Sequence, residues 1–298
     1  MYLNEHNMKA RSIPIILILL ILHSCSKEPY NYENDRSTYY KNIVTNYKSD
    51  SILTCLTYNI QLGFKSFQDP WNSDEVGGTN EQLDNLVHII DSINPILIAL
   101  QEVPMNRYNN VIKDYIESVS DKLEMNYSFG SHGYNDPEGI YPVHGEWGNA
   151  ILSKYEILEI NNIEVSYIDK WRKQSILDAR LKINDTLSIH VISLHYGLSS
   201  SEYNEGLENT IKHLETISEP IILMGDFNPQ FGLPLLWEEL NDLRLTDSDS
   251  TFLHGADRIF YSETDFNLDN IGRLYDTINW TSDHPANFSN FKLKNYSR

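Results

Sequence analysis

The sequence predicts an α/β fold in which mixed β-sheets are covered by helices. Short apolar runs typical of buried strands alternate with segments whose apolar residues recur at helical spacing. Two predicted strands, Asp178–Ile183 and Ser188–Leu194, are joined by Asn184-Asp185, a pair typical of hairpin turns. Because strands occur both in hairpins and in strand–helix–strand order, we expect antiparallel and parallel pairs in the sheets. No interior linker interrupts the pattern, so we predict one folded domain.

The other elements are predicted from periodicity and from the residues that end them. Gln82–Ile93 is typical of an amphipathic helix, because its apolar residues share one face, and Asn94-Pro95 ends it. The run Ile221–Met224 lies between Pro220 and Gly225, which favours a buried strand over a helix. Further strands are predicted at Leu53–Ile60, Ile96–Leu100, Ala150–Ser153 and Arg258–Tyr261, and further helices at Val111–Leu123 and Leu207–Ser218.

The first 24 residues have the pattern of an export signal. Lys9 and Arg11 precede the apolar run Ile13–Leu22. A run of about ten residues is too short to cross a membrane, which takes about twenty. The ending Leu22-His23-Ser24-Cys25 resembles a bacterial lipoprotein signal, in which the cysteine becomes the lipidated first residue. The alternative is a conventional secretory signal with an incidental cysteine.

This interpretation predicts three segments along the chain. Residues 1–24 are the lipoprotein signal peptide, and residues 25–50 are a polar tether rich in Tyr, Asn and Ser. Residues 51–298 are the folded domain. We therefore expect an exported protein, held at the outer membrane or cell surface by a lipid on Cys25, or otherwise secreted. Cys55, in an apolar stretch, is expected to be a buried thiol without a disulfide partner.

The chain is strongly acidic, which bears on its partners. Its formal charge is −19, and removing residues 1–24, with Lys9 and Arg11 against Glu5, would leave −20. Such a surface repels polyanions at long range and argues against a broad basic footprint for nucleic acid. A bound cation and a few arginines could offset this repulsion locally, so charge alone does not exclude a nuclease.

The most informative stretch is the turn Gly225-Asp226-Phe227-Asn228 after the strand Ile221–Met224. Asp226 and Asn228 stand at the carboxyl end of the strand, where α/β folds place their chemistry. An acceptor and a donor side by side suit a water, a divalent metal ion or a phosphate oxygen. Taken alone, the same residues also fit an Asx turn.

Polar residues of the same kind follow or precede other predicted strands. Magnesium takes hard oxygen ligands, so Glu102 with Asn59 or Asp283 fits a site for it. Histidine beside a carboxylate suits general acid–base chemistry. The residues at the strand ends are Asn59, Glu102, His195, Asp226, Asn228, Asp257, Asp283 and His284.

Seven motifs in this order resemble the endonuclease/exonuclease/phosphatase superfamily, which has the DNase-I-like fold. They are Tyr58-Asn59-Ile60, Gln101-Glu102-Val103, Gly148-Asn149-Ala150-Ile151-Leu152-Ser153, Leu194-His195-Tyr196-Gly197-Leu198, Gly225-Asp226-Phe227-Asn228, Asp257-Arg258-Ile259 and Ser282-Asp283-His284. The resemblance covers essentially Leu53 to Leu293 and makes residues 51–298 the catalytic domain. It implies a four-layer sandwich of two mixed β-sheets flanked by helices, with the site in a cleft at one end.

The resemblance also implies how the residues divide the work. Glu102 would be the principal Mg²⁺ ligand, with Asn59 and Asp283 arranging metal and water, and Mn²⁺ a substitute. Asp226 would orient or deprotonate the attacking water. The phosphate and the departing oxygen would be contacted by Asn228, by His284 oriented by Asp257, and by His195.

Substrate contacts are expected from the loops and from Asn149. An arginine near Trp171-Arg172-Lys173 often faces the phosphate in this family, which favours Arg172, with Arg180 the competing choice. Glu146 could pair with His195. The aromatic loop His132–His144 is the segment expected to set substrate choice.

Together these features predict a monomeric Mg²⁺-dependent hydrolase of a phosphodiester or phosphomonoester, acting on a small phosphoester or lipid headgroup by in-line attack of water. The alternative is an envelope-anchored or secreted endo- or exonuclease that acts on DNA or RNA. A non-catalytic binding lipoprotein is the third interpretation.

Overall fold

The structure is a computed structural model that describes residues 38–44, 47, 52–63, 79–105, 112, 115–132, 146–169, 172–228, 233–250, 255–275 and 282–294. Contacts group residues 32–298 into one unit. The predicted signal peptide and Cys25 lie outside the described residues. Within the described ranges, none of the helices has both the length and the apolar character that a membrane crossing requires.

The described elements comprise thirteen strands, four α-helices and a 3₁₀ turn at Gln61–Gly63. The strands are β1 Thr38–Lys41, β2 Ile52–Asn59, β3 Leu97–Met105, β4 Asn126–Ser131, β5 Glu146–Ser153, β6 Glu156–Asp169, β7 Arg172–Lys182, β8 Ser188–His195, β9 Ile221–Asp226, β10 Leu245–Asp247, β11 Asp257–Ser262, β12 Phe266–Leu274 and β13 Ala286–Leu293. The helices are α1 Asn80–Ile93, α2 Tyr115–Leu123, α3 Ser200–Leu214 and α4 Leu233–Asp242.

The strands form two mixed sheets. The first has the order β1-β4-β5-β3-β2-β13-β12 and the second β10-β11-β9-β8-β7-β6. One pair in each sheet is parallel, β2 with β3 and β8 with β9, and the other pairs are antiparallel. The predicted α/β sandwich of two mixed sheets with helices is confirmed.

Three apolar layers separate four layers of secondary structure. The central layer lies between the sheets and includes Cys55, Ala99 and Val191, all fully buried. Helices α1 and α2 pack on the outer face of the first sheet, and α3 and α4 pack on the outer face of the second. Burial of apolar side chains on both faces explains why the central strands have nearly continuous apolar sequences.

The tether prediction needs a correction at its carboxyl-terminal part. Thr38–Lys41 pairs antiparallel with β4, from Thr38 opposite Gly130 to Lys41 opposite Tyr127. This segment is therefore an edge strand of the first sheet. A short, mostly exposed edge strand needs no run of apolar residues, so the sequence pattern did not predict this one.

The two parallel pairs determine where the site forms. Asn59, at the end of β2, lies beside Gln101, where the register of β3 becomes irregular, and His195 lies beside Asp226 at the end of β8 and β9. Asp257, the first residue of β11, is opposite Asp226. Because the carboxyl ends of parallel strands lie at the same sheet edge, the polar residues that follow them meet there.

A polar network at the other end of β8 fastens α3 to the second sheet. The buried carboxylate of Asp178 contacts His190 Nδ1 at 2.8 Å and His213 Nε2, on α3, at 2.9 Å. His190 Nε2 is also 3.0 Å from Glu219, which accepts two hydrogen bonds from Arg180 at 2.7 Å. Burial would raise the pKa of Asp178, but the hydrogen bonds from the two histidines outweigh it and lower this pKa. Burial likewise lowers the pKa of His190, but Asp178 and Glu219 raise it above its usual value.

We expect Asp178→Asn to lower the free energy of unfolding by about 1–3 kcal/mol near pH 5.5. The variant removes the negative charge that accepts hydrogen bonds from the rings of His190 and His213. The contribution of Asp178 is lost as the pH falls through its lowered pKa. The contribution of His190 is complete below its unfolded pKa of about 6.5 and is lost as the pH rises through its raised pKa. The difference between the variant and the wild type should therefore be larger at pH 5.5 than at pH 9.

Urea unfolding at the two pH values measures this difference. Lys212→Ala, which removes an exposed ion pair with Glu208 on the same helix, is the control and should change stability by less than about 0.5 kcal/mol. An equal loss for Asp178→Asn at both pH values would contradict the expected role of His190.

Candidate active site

Asp226 lies at the centre of the residues brought together at the strand ends. Its Oδ2 accepts a hydrogen bond from Asn59 Nδ2 at 3.1 Å. The same oxygen is 3.6 Å from His195 Nε2 and 3.7 Å from His284 Nε2, and the residue is 1% exposed. Asp226 is therefore a buried acceptor between two imidazoles.

The backbone around Asp226 has little freedom. Gly225 has φ +152°, and a Cβ added there would lie 2.0 Å from the carbonyl oxygen of Leu194 on the parallel strand β8. The backbone N–H of Asn228 donates to Asp226 Oδ1 at 3.0 Å, and Asn228 has φ 41°, in the left-handed region. Asn228 Nδ2 donates to the carbonyl of Tyr196 at 2.7 Å. This bond uses one of the two N–H groups of the amide. The Asx turn is thus present, and it fixes both side chains.

Glu102 reaches the same place through an irregularity in β3. The register with β5 shifts between Leu100 and Val103, and Glu102 has φ 54°. A non-glycine residue in this region costs on the order of 1–3 kcal/mol, and such residues cluster at functional sites. Burial raises the pKa of the Glu102 carboxyl, while His195 and the hydrogen bond from Asn59 oppose that shift.

The amide of Asn59 is not oriented as its predicted role of metal ligand requires. Its Oδ1 accepts from the backbone N–H of Gln61 at 3.0 Å, so its amide nitrogen faces the carboxylates. Nδ2 donates to Glu102 Oε1 at 3.2 Å and to Asp226. The geometry therefore does not support direct coordination by Asn59; the side chain instead orients two carboxylates.

Asp257 and His284 form a tightly bonded pair. His284 Nδ1 is 2.7 Å from Asp257 Oδ2. Burial lowers the pKa of His284, but the hydrogen bond and charge of Asp257, with Asp226 and Asp283, raise it to about 10. Burial also raises the pKa of Asp257, to about 6, against the influence of His284. Near pH 7 the pair is therefore an imidazolium beside a carboxylate.

Asp283 lies at the edge of this cluster, more exposed than the other carboxylates. Its Oδ1 is 3.9 Å from His284 Nε2, and its side chain is 30% exposed. Ser282 fixes the loop, because its hydroxyl donates to the carbonyl of Asn59 at 2.6 Å and accepts from the backbone N–H of His284 at 3.1 Å. The loop before β13 is thereby tied to the end of β2.

His195 closes the opposite side of the site. Its Nε2 is 3.9 Å from Glu102 Oε1, and its ring lies against two aromatic residues that the sequence did not single out as site residues. These are His132 and Trp147, whose ring centroids are 4.9 Å apart. His132 opens the aromatic loop of the sequence interpretation, which was the available signal. Residues 133–144 of that loop lie outside the described residues.

Asn149, predicted to contact substrate, is fully buried beside the irregularity that carries Glu102. Ala150 and Gly148 pair with Leu100 and Val103 on either side of it. Its Nδ2 donates to the carbonyl of Ser175 at 2.8 Å, while its Oδ1 has no hydrogen-bond partner within the described part of the chain. The bond to Ser175 ties β5 of one sheet to β7 of the other.

Arg180 is not brought to this cluster, which corrects its prediction as a phosphate contact. It pairs with His190, five residues and about 16 Å along β8 from His195, and its guanidinium is bonded to Glu219. Arg180 lies too far along β7 from the sheet edge at which the cluster forms. Arg172 begins β7, but its side chain, like that of Glu146, lies outside the described residues.

The donor set suits a hard divalent cation. Oxygens of Asp226 and Asp257 and a ring nitrogen of His284 all lie within 4.8 Å of one another, and Glu102 adjoins them through His195 and Asn59. With His284 protonated, the carboxylates are the available donors, and a cation would add to the charge of His284 in offsetting their mutual repulsion. Oxygen ligands of this kind are those that Mg²⁺ prefers.

Asp257→Asn tests the charge state of His284. Because Asp257 is the main cause of the raised pKa, we expect the variant to return this pKa toward its ordinary value of about 6.5. At pH 8, His284 should then change from protonated to neutral, as measured by NMR of the imidazole carbons. Asp185→Asn, at a 95% exposed turn carboxylate, is the control and should leave the titration unchanged. An unaltered His284 titration in Asp257→Asn would show that Asp257 does not set it.

The chain is similar in sequence and in structure to known proteins. YbhP of Escherichia coli K12, an uncharacterized protein, is 27% identical over 183 residues, 58% of this chain and 65% of YbhP. The chain thus spans just under two thirds of this curated relative. An endonuclease/exonuclease/phosphatase from Beutenbergia cavernae has a TM-score of 0.64 at 15% identity, covering 82% of this chain and 72% of that one. The Bacteroides thetaiotaomicron mannosyl-6-phosphatase Bt3783 has a TM-score of 0.56 at 17% identity, covering 82% and 100%.

The family model decides the assignment. The model of the endonuclease/exonuclease/phosphatase family matches residues 56–284, more than half of the chain and the whole span from β2 to His284. The chain belongs to the endonuclease/exonuclease/phosphatase family.

Proposed function

We propose that this protein is a divalent-metal-dependent phosphoesterase that hydrolyses a small phosphodiester or phosphomonoester by in-line attack of water. One observation carries the proposal. Three carboxylates, Glu102, Asp226 and Asp257, and the imidazoles of His195 and His284 meet through contacts within 4 Å where strands of both sheets end. The family comprises hydrolases of phosphoesters, and this cluster has the groups that such a reaction needs.

Glu102, supported by Asp283, is the residue we assign to hold Mg²⁺, with Mn²⁺ as a substitute. Its carboxylate is oriented by Asn59 and is partly exposed, so a cation and its waters can reach it. When bound, the cation would stabilise charge on the phosphate and lower the pKa of a bound water.

Asp226 is suited to orient the attacking water and to accept its proton. It is buried, bonded to Asn59 and to the backbone of Asn228, and cannot turn away from the cleft. The remaining N–H of the Asn228 amide is available to a phosphate oxygen. Donors fixed in place before the reaction are worth about 10²–10³ in rate each.

The two histidines have different proposed roles. His284 is held protonated by Asp257, so it donates to a phosphate oxygen and offsets its charge. His195 lies on the other side of Asp226, 3.6 Å from it, and is placed to protonate the departing oxygen. These roles assign each described polar residue of the cluster one task.

The charge of the chain supports a small substrate. A formal charge of −19 gives no long-range attraction for a polyanion. A small phosphoester, or the headgroup of a lipid, needs only the local positive charges of His284 and a cation. The alternatives to this proposal are a nuclease and a non-catalytic binding protein.

We also propose that the protein is exported, acts as a monomer and is anchored through a lipid on Cys25, with residues 1–24 removed. The basic, apolar and Leu-x-Ser-Cys regions of the sequence support this proposal. Labelling with tritiated palmitate in a bacterial host should mark the wild type and leave Cys25→Ser unlabelled. Equal labelling, or none in either protein, would contradict the anchor.

The activity is tested with purified protein, Mg²⁺ or Mn²⁺, and bis-p-nitrophenyl phosphate or p-nitrophenyl phosphate. We expect hydrolysis of at least one of them, its loss in EDTA and its return when metal is added. Lys212→Ala, on the exposed face of α3, should match the wild type. Absence of cleavage with every divalent metal would exclude the enzyme and favour the binding protein. Nicking of supercoiled plasmid together with inertness toward small esters would establish the nuclease instead.

A further inference from the structure

Trp147 lies beside His195, which also contacts the carboxylates of the site. The ring centroids of Trp147 and His195 are 5.9 Å apart, with the planes at 79°. His195 Nε2 is 3.6 Å from Asp226 and 3.9 Å from Glu102, so one imidazole adjoins both the carboxylates and the indole. Trp147 is half-buried, so part of this residue is open to solvent.

His132 packs against both Trp147 and His195. The His132 ring is 2% exposed, and its Nδ1 accepts the backbone N–H of Ser175 at 3.1 Å. The proton of the neutral ring must therefore be on Nε2. Burial, with the nearby His195, lowers the pKa of His132 to about 3, so this ring stays neutral. Its centroid lies 4.9 Å from that of Trp147 in an edge-to-face arrangement, which holds the indole in place.

The position of Trp147 bears on which leaving group the site accepts, and this inference rests on the proposed function. If His195 protonates the departing oxygen, the group attached to that oxygen lies beside His195, and Trp147 is a half-buried aromatic residue adjoining this histidine. We propose that Trp147, supported by His132, forms a leaving-group subsite that stacks a ring, so that the substrates are phosphoesters of cyclic alcohols such as sugars or nucleosides. Trp147 is then a specificity-determining residue.

Two observations favour a ring that carries oxygen or nitrogen atoms. An indole face stacks on planar or compact rings, and loss of such stacking is worth about 5- to 150-fold in binding. His132 Nε2–H also lacks an acceptor among the described residues, although it is buried. A buried donor without an acceptor is unfavourable, and a heteroatom of the leaving group could relieve it. An acyclic leaving group offers no face to the indole.

The test compares cyclic and acyclic leaving groups in two variants. Trp147→Leu keeps an apolar side chain but removes the aromatic face, and Trp147→Phe keeps a smaller face. Phenyl, hexose and nucleoside esters are compared with ethyl and glycerol esters, as monoesters and as methyl diesters. The ratio of kcat/KM between variant and wild type is taken for each ester, so that the intrinsic reactivity of each leaving group cancels.

We expect Trp147→Leu to lower kcat/KM for the ring esters by about 5- to 150-fold, and for the acyclic esters by less than twofold. Trp147→Phe should show a smaller loss, again confined to the ring esters, and it decides the matter if the leucine variant does not fold. The hexose and nucleoside arms show which ring is preferred. Equal losses for ring and acyclic esters would overturn the subsite and leave the proposed function standing. A wild type inactive toward every ester would overturn both.

Discussion

Replacing Asp226 by asparagine is expected to lower kcat by about 10²–10³-fold without unfolding the protein. Asparagine keeps the shape of the side chain and can still accept the N–H of Asn228, but it cannot accept a proton from water. Its amide also places a donor opposite the amide of Asn59, which now donates to Asp226 Oδ2 at 3.1 Å. Activity should fall for every substrate alike, because the loss concerns the attacking water.

Stability separates this catalytic role from a structural one. Asparagine places a donor opposite Asn59 Nδ2 and removes a negative charge beside His284, so the thermal midpoint in EDTA should fall, but the protein should remain folded at the temperature of the assay. Asp185→Asn, at an exposed turn, is the control for both activity and midpoint. Retention of activity within threefold of the wild type, or a fall in midpoint that accounts for the lost activity, would contradict the role given to Asp226.

The central strands could be predicted because burial on both faces leaves a continuous apolar run in the sequence. Ile221–Met224 is an example, and the structure extends it only by Gly225 and Asp226. Edge strands carry no such run. In β12, Phe266–Leu274, Phe266 is the only buried residue, and β6 has exposed or half-buried residues from Leu158 to Glu164. Both strands were missed for that reason.

The beginning of α3 shows a second limit. The sequence interpretation begins the helix at Leu207, where its apolar face becomes regular, but the helix begins at Ser200. Its first two turns bury Tyr203 but have no regular apolar face, and they are stabilised by a capping box between Ser199 and Glu202. Ser199 and Glu202 were a capping signal in the sequence, but the apolar periodicity indicated a later start at Leu207.

The site was predictable as a set of residues, but the role of each was not. The ends of β2 and β9 bring Asn59 and Asp226 together, as their positions in the sequence indicate, while Glu102 joins them from an irregularity within β3 rather than from the predicted strand end. The orientation of an amide depends on neighbours that a sequence does not show, so the N–H of Gln61 turns Asn59 away from metal ligation. Arg180 was misplaced for a similar reason, because Glu219 binds it far from the cluster.

Glu102→Gln is expected to remove the stabilisation of the protein by Mg²⁺. A ligand at 100 times its dissociation constant stabilises the folded state by about 2.7 kcal/mol, which raises the thermal midpoint of a domain of this size by roughly 5–10 °C. Glutamine keeps the acceptor for Asn59 Nδ2 but loses the negative charge that binds the cation. The rise should therefore vanish at the same metal concentration, and hydrolysis should fall by about 10²–10³-fold.

Thermal unfolding across a Mg²⁺ titration measures this effect apart from catalysis. Glu208→Gln, which removes an exposed carboxylate on α3, should keep the full rise in midpoint. If Glu102→Gln kept it too, the cation would have to be bound elsewhere, and the close group of Asp226, Asp257 and His284 would be the next set to replace. A rise lost in Glu102→Gln but kept in Asp226→Asn would separate the two carboxylates, one holding the metal and the other directing the water. The geometry agrees with the proposed separation, because the Glu102 side chain is partly exposed on an irregular strand while Asp226 is buried between two histidines.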